Sequence, residues 1–405
     1  MNSFEEWVRP ADPQACVREL VDLLDRRSID FFNLGPATTA GGRSLLLPLL
    51  LLSPRLSASC ACASPEMGVD ELAIVDASEV TVGLGQNTEG GFGNFRFCAS
   101  FCVPPHVPFF PAGYAPSANS ARDESSRFEM SFALGLECGD VALAALAAAA
   151  AVQNQGQDSK TPKERLPLSG ITKALTDAFD AQLVPLEAAA KLAAERCSGH
   201  AVDSADAQRI CYMGIDTSLN PGLDPSFSVG AAFEAALGEG RVFGSAGTLA
   251  VASAITKALK SLSVSKVGYS GLMLPPLEDS TLAKRQIKGS DGGKFKAQEG
   301  EVAEPSSKRK KHVMTSRRAG TKPSYGIVDL LSYSSVCGVG LDTVPIPGDT
   351  PAEKVASLML DVAALSAKWA KPLSCRLFPV PGRKAGEMTS FDSPFLINTE
   401  VFEMP

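Results

Sequence analysis

Histidine is scarce: His106, His200 and His312 are the only imidazoles in 405 residues, and none forms an H-x-x-x-H or H-E-x-x-H pattern. That argues against a histidine-rich metal site. Ten cysteines are too few for a disulfide scaffold in a chain of this length. Cys60 and Cys62 form a C-x-C pair with no second pair at zinc spacing, and Cys98 and Cys102 stand four apart without a partner cluster, so no structural zinc is expected and no residue is assigned to a metal. With no cleavable signal peptide visible at the N-terminus, the expectation is reduced thiols and a cytoplasmic location. Long apolar runs are missing too. The leucine block Leu45 to Leu52 is broken by Pro48 and is far shorter than the roughly 20 residues needed to cross a bilayer. It reads as a buried helix, and no membrane partner is expected. Positive charge is not in excess. Lys and Arg total 38 against 45 Asp and Glu, a net charge of −7, which argues against a nucleic-acid partner.

What the chain does have is 45% hydrophobic residues with 20% charged, enough to bury a large core. Asp12-Pro13 starts a helix, with Val17, Leu20, Val21 and Leu24 on one face. Phe31 to Gly35 reads as a short strand, and a helix follows from about Gly68 to Val82. Gly90 to Phe97, G-G-F-G-N-F-R-F, reads as glycines giving way to an alternating aromatic strand, with Asn94 and Arg96 facing away from Phe95 and Phe97. A guanidinium there needs an anionic partner, from the core or from a ligand. The proline-framed Phe109-Phe110 loop is suited to cap a pocket or plug a core.

Further on, the strand Phe128 to Leu136 closes on Glu137, and Asp140 opens the alanine-rich helix Val141 to Val152. Arg165 to Cys197 is helical with a break near Pro185. Strand Ile210 to Ile215, helices Ser228 to Leu237 and Thr248 to Leu262, and strand Val267 to Leu274 then alternate. Such alternation implies a parallel sheet with its site at the carboxyl ends of the strands, where Asp216, Glu278, Asp342 and Lys384 fall. Lys284 to Ser324 carries almost no large apolar residues and runs such as Lys308-Arg309-Lys310-Lys311; it reads as a disordered basic insertion. Helix Ile327 to Ser335 resumes the pattern, Thr350-Pro351-Ala352-Glu353 has the form of a capping box for helix Ala352 to Trp369, and Leu373 to Phe378 is the last strand.

Ser334 to Thr350, S-S-V-C-G-V-G-L-D-T-V-P-I-P-G-D-T, is too rich in Gly and Pro for a helix interior or a central strand, and reads as a shaped loop. Its P-x-P-G ending recurs at Pro379 to Gly382, followed by Arg383 and Lys384, with a looser echo from Gly214 to Gly222. The expectation is that these loops converge on one pocket, although P-x-P-G is also a plain rigid connection.

G-F-G-N-F-R-F with the later P-F-F-P-A, then S-V-C-G-V-G-L-D-T-V-P-I-P-G-D-T, then C-R-L-F-P-V-P-G-R-K-A-G-E with F-D-S-P-F, resemble the domain-of-unknown-function 711 (UPF0210) family from about Phe31 onward. The resemblance implies an α/β fold: a large barrel of about ten strands, related to those of pyruvate formate-lyase and anaerobic ribonucleotide reductase. The chain then divides into a helical segment 1–30, a first barrel part 31–283, the insertion 284–324 and a last barrel part 325–405. In those enzymes a cysteine on the central loop becomes a thiyl radical, a place that Cys337 would take here. Val401 to Pro405 and the residues just before it resemble no glycyl-radical segment, so cysteine chemistry without such a radical is the weaker reading.

The leading expectation is an enzyme acting on a small anionic molecule by acid–base chemistry, with metal assistance left open and no cofactor identified. Asn94, Arg96, Arg376, Lys384 and Asp349 are the candidate binding residues; Asp342, Asp216, Glu137 and Cys337 are the candidate catalytic ones. The alternative is a non-catalytic ligand-binding or interaction protein. A homo-oligomer is left open.

Overall fold

The computed structural model describes residue 8 and residues 12–114, 129–156, 162–198, 209–286, 325–336 and 338–405. Ten helices and eight strands run along these residues. The first part is α1 (Pro13–Arg26), β1 (Phe32–Ala37), α2 (Ala40–Leu50), β2 (Leu56–Ser64), the two-residue β3 (Gly68–Val69), α3 (Glu71–Asn87) and β4 (Phe97–Phe101). The middle is β5 (Glu129–Glu137), α4 (Gly139–Gln153), α5 (Leu168–Ser198), β6 (Arg209–Asn220), α6 (Val229–Leu237), α7 (Thr248–Ser261) and α8 (Ser280–Gln286). The last part is α9 (Ile327–Val336), β7 (Gly340–Pro347), α10 (Ala352–Trp369) and β8 (Leu373–Val380).

Strands alternate with helices, and the sheets are rich in parallel pairs. The main sheet has the order β1-β2-β4-β8-β7; every pair on that path is parallel except β4 with β8, and β3 adds to β2 antiparallel. β5 and β6 form a separate parallel pair. The segment after α7 links the two sheets through parallel bridges, Ile215 to Lys266, Leu219 to Leu272, and Leu272 to Gly338. The result is one curved ladder with two parallel sets meeting at β4 and β8. Among the described residues β1 and β5 do not pair, so the expected closed ten-stranded barrel is not seen. No described helix is long and apolar enough to cross a membrane.

Several local expectations hold for stated reasons. Asp12 caps α1 by accepting from Ala15 N–H at 2.9 Å, with Pro13 in the first turn. The leucine block lies in and just after α2, whose Leu46, Leu49 and Leu50 are fully buried. The helix expected over Arg165 to Cys197 forms as α5, but the break expected near Pro185 does not: α5 runs unbroken through that proline.

Others are corrected. Gly90 to Arg96 is a tight helical turn, not a strand, because Gly90 and Gly91 take left-handed backbone (φ 59° and 77°) and a Cβ on Gly91 would sit 2.4 Å from the Pro379 carbonyl oxygen. The strand begins only at Phe97. Ser334 to Thr350 is not all loop. Gly340–Pro347 is the strand β7, which tolerates Pro345 and Pro347 because it ends the main sheet. Val267 to Leu274 makes isolated bridges instead of a strand, its backbone bent at Gly268 (φ 65°) and Ser270 (φ 43°). The capping box at α10 does not form: Pro351 is the N-cap, and the Thr350 hydroxyl donates to the Pro347 carbonyl at 2.7 Å. The insertion boundary at 284 falls inside α8, where Arg285 pairs with Glu234 at 2.6 and 2.7 Å; residues 287–324 lie outside the described residues.

Candidate functional site

All eight residues of β8, L-S-C-R-L-F-P-V, are buried, so the arginine in its middle must find partners inside the protein. Arg376 finds three. Its Nε donates to Asp342 Oδ1 at 2.6 Å, Nη2 to Glu278 Oε1 at 2.8 Å and Nη1 to the Phe95 carbonyl at 3.1 Å. The guanidinium also lies 5.4 Å from the centre of the Phe95 ring.

Each carboxylate arrives by a local irregularity. β7 pairs with β8 in register at Leu341 and again at Val344, and the shift between them, with Thr343 at φ 45°, is a bulge beside Asp342. Bulges re-aim side chains, and this one turns Asp342 onto Arg376. Glu278 follows Pro275-Pro276-Leu277 at the end of the linking segment and precedes Asp279, which is itself tied down by Ser228, Gly230, Thr281 and Leu282. The rigid prolines and this anchored neighbour fix the backbone that carries Glu278.

The three side chains border a cavity of about 120 Å³. Phe95, Phe109, Phe110 and Met273 form its apolar wall, while Asn220, Tyr269 and Ser374 add polar groups. The proline-framed loop therefore borders a cavity, one of its two expected uses, and Asn33 holds it by donating to the Pro111 carbonyl at 2.7 Å. Burial pushes the Glu278 carboxyl up to about 7; Arg376 opposes that rise, and the charges of Asp342 and Glu137 add to it. Burial also works against the charge of Arg376, but its two carboxylates outweigh it and hold the guanidinium firmly protonated. The Cys98 thiol, also on the cavity wall, is pushed up by burial and is therefore no ready nucleophile.

The candidate residues divide. Arg376 and Asp342 are brought together in the cavity. Glu137 ends β5 opposite Asn220 in register, exposed, and acts on Glu278 only through its charge. Asp216 is fully buried and accepts from Ser218 N–H and Oγ–H and from the N–H groups of Tyr269 and Ser270, at 2.6–3.0 Å. Burial raises its carboxyl against those hydrogen bonds. Among the described residues Arg96 meets no carboxylate: its Nη1 donates to the carbonyls of Leu50, Ser53 and Leu56 at 3.0, 3.0 and 2.7 Å. Asn94 donates to Thr81 O at 3.0 Å beneath α3. Asp349 and Lys384 are exposed and do not border the cavity. Cys337 lies outside the described residues.

The P-x-P-G loops do run side by side, since Pro347 pairs with Val380 and Gly348 N–H donates to Arg383 O, yet neither borders the cavity. The cavity sits on the faces of β7 and β8 in their amino-terminal halves, at Asp342, Ser374 and Arg376, and not at the carboxyl ends of these strands where the site was expected. Tyr269, Asn220 and Ser374 were not chosen from sequence, and Glu278 was placed at a strand end without being made a site candidate; Asn220, next to Pro221, carried a similar signal. Among the described residues, no three His, Cys, Asp or Glu side chains are gathered as metal ligands.

Fold and site together define an α/β protein with a mixed, parallel-rich ladder and a buried arginine–dicarboxylate cavity. The family model described as uncharacterised ACR (DUF711) matches residues 8–291 and 313–393, and the chain belongs to that family. It is 32% identical over 180 residues to a UPF0210 protein of Desulfovibrio desulfuricans, covering 44% of this chain and 31% of that one. A UPF0210 protein of Pyrobaculum aerophilum is likewise 32% identical over 180 residues, 44% of this chain and 32% of its own. One from Oleidesulfovibrio alaskensis is 48% identical over 62 residues, 15% of this chain and 14% of its own. Each match thus spans less than a third of the relative's length.

Proposed function

We propose that this chain is an enzyme that binds a small anionic molecule in the Arg376 cavity and moves a proton on it, with Glu278 as the proton carrier. The observation that carries this reading is a largely buried carboxyl raised to about 7, hydrogen-bonded to an arginine beside a cavity. A group that titrates near neutral pH can both give and take a proton at little cost. Protonated Glu278 donates to a ligand atom and is left as a carboxylate paired with Arg376; the reverse step restores it. Asp342 holds the guanidinium in place. Of the five N–H bonds of a guanidinium, Asp342, Glu278 and Phe95 use three, which leaves two for a ligand.

Charge decides the ligand's sign. One guanidinium against two carboxylates is a formal −1, and protonation of Glu278 brings the trio to zero. An anion therefore binds with uptake of a proton and binds better below pH 7, whereas a cation would release one and bind better above it. Thermal-shift titration with small carboxylates and small ammonium ions at pH 6 and pH 8 tests this. Carboxylates that shift the melting temperature at pH 6, less at pH 8, and with no pH dependence in Glu278→Gln, support the reading; a response to ammonium ions alone sinks it. The sheet order, two parallel sets meeting at β4 and β8, supports placing the fold with the pyruvate formate-lyase type of barrel, in an opened form.

A further inference from the structure

We infer that Tyr269 is a ligand-binding residue of this cavity, and that the ligand carries a second hydrogen-bonding oxygen besides its anionic group. The inference rests on the proposed function and deepens it. Tyr269 is 8% exposed, and its buried hydroxyl meets no hydrogen-bond partner of good geometry among the described residues. Ser374 lies beside the phenol, and Tyr269 borders the same cavity as Ser374, Cys98 and Asp342. Buried polar groups are almost always paired. A tyrosine at an apolar position with no use for its hydroxyl is replaceable by phenylalanine at no loss.

The backbone behind Tyr269 is built to hold it there. Asp216 accepts from the N–H groups of Tyr269 and Ser270 at 2.8 and 2.9 Å, and Ser218 Oγ accepts from Gly271 N–H at 3.1 Å while donating to Asp216 at 2.6 Å. Three successive N–H groups are thus held by one carboxylate and one hydroxyl. The turn they hold is strained at Ser270 (φ 43°) and leaves no room for a side chain at Gly268, where a Cβ would meet Asp216 Oδ2 at 2.2 Å. Asp216 and Ser218 are positioning residues: they aim a phenol and touch no ligand.

A cavity of about 120 Å³ holds roughly four water volumes, so the enclosed part of the ligand has on the order of five non-hydrogen atoms. A carboxylate on the free N–H bonds of Arg376 with an adjacent hydroxyl toward Tyr269 fits that count. Acetate and glycolate are the matched probes, alike except for the hydroxyl. In the full chain at pH 6, glycolate binds about tenfold more tightly than acetate, and Tyr269→Phe removes that preference while leaving acetate binding unchanged. Without ligand, Tyr269→Phe is at least as resistant to urea as the wild type, because the lost hydroxyl had no partner of good geometry. Equal losses for both acids, or a Tyr269→Phe protein that unfolds earlier or not reversibly, overturn the inference and leave a structural tyrosine. Equal wild-type binding of the two acids overturns it with the proposed function intact. Binding of neither acid overturns both.

Discussion

Two buried arginines teach opposite lessons. Arg96 and Arg376 both sit beside phenylalanines, both leave less than a tenth of their surface exposed, and both look from sequence like anion-binding residues. Arg96 spends its charge on three carbonyls at the corner between α2 and β2, and burial without a counter-charge lowers it to about 10. Arg376 lies between two carboxylates at a cavity. The first is a staple that draws three backbone carbonyls together; the second is a charged pivot. What separates them is what the rest of the chain brings opposite.

The comparison breaks most sharply under substitution. Arg376→Met strands two carboxylates and should cost about 3–5 kcal/mol at pH 8, measured by urea unfolding. The loss shrinks at pH 6, where Glu278 carries its own proton. Arg96→Met removes the guanidinium from three carbonyls and should cost about 3 kcal/mol, the same at both pH values. A loss at Arg96 that grows with pH would mean that it too has a titrating partner.

Glu278 sharpens the contrast from the other side. Its folded pKa is raised to about 7 from an ordinary value near 4.5, so the folded state keeps a proton that the unfolded chain has released. The stability this contributes is fully present below about 4.5 and is lost as pH rises through 7, by roughly 3 kcal/mol. Glu278→Gln keeps a partner for Arg376 without titrating, and its stability should be flat over that window. A slope unchanged from the wild type would assign the titration to another group.

How much of this was legible depended on distance along the chain. Helix starts were legible because a cap acts within three residues, as Asp12 does on Ala15. The two arginines were not separable, because the partners of Arg96 lie 40–46 residues away and the carboxylates of Arg376 lie 34 and 98 away. Asp216 looked catalytic for the same reason: the N–H groups it accepts from are 53 and 54 residues downstream. β7 was hidden by prolines that only an edge position tolerates, and the edge is a property of the whole sheet. Closure of the ladder likewise depends on strands far apart in sequence, which no local pattern records.

The smallest effects are expected at Asp349 and Lys384, which the sequence grouped with Arg376 because they follow the P-x-P-G turns. Both side chains are exposed, and Lys384 is held through its backbone N–H, which donates to Glu387 at 2.8 Å. A charge in water beside a turn contributes little to stability, and neither group borders the cavity. Asp349→Asn and Lys384→Ala should therefore change unfolding free energy by less than about 0.5 kcal/mol and leave carboxylate binding at pH 6 unchanged. A tenfold loss of binding in either variant would move the site from the face of the sheet to the ends of its strands, and would return the two turns to the place their repeated sequence first suggested.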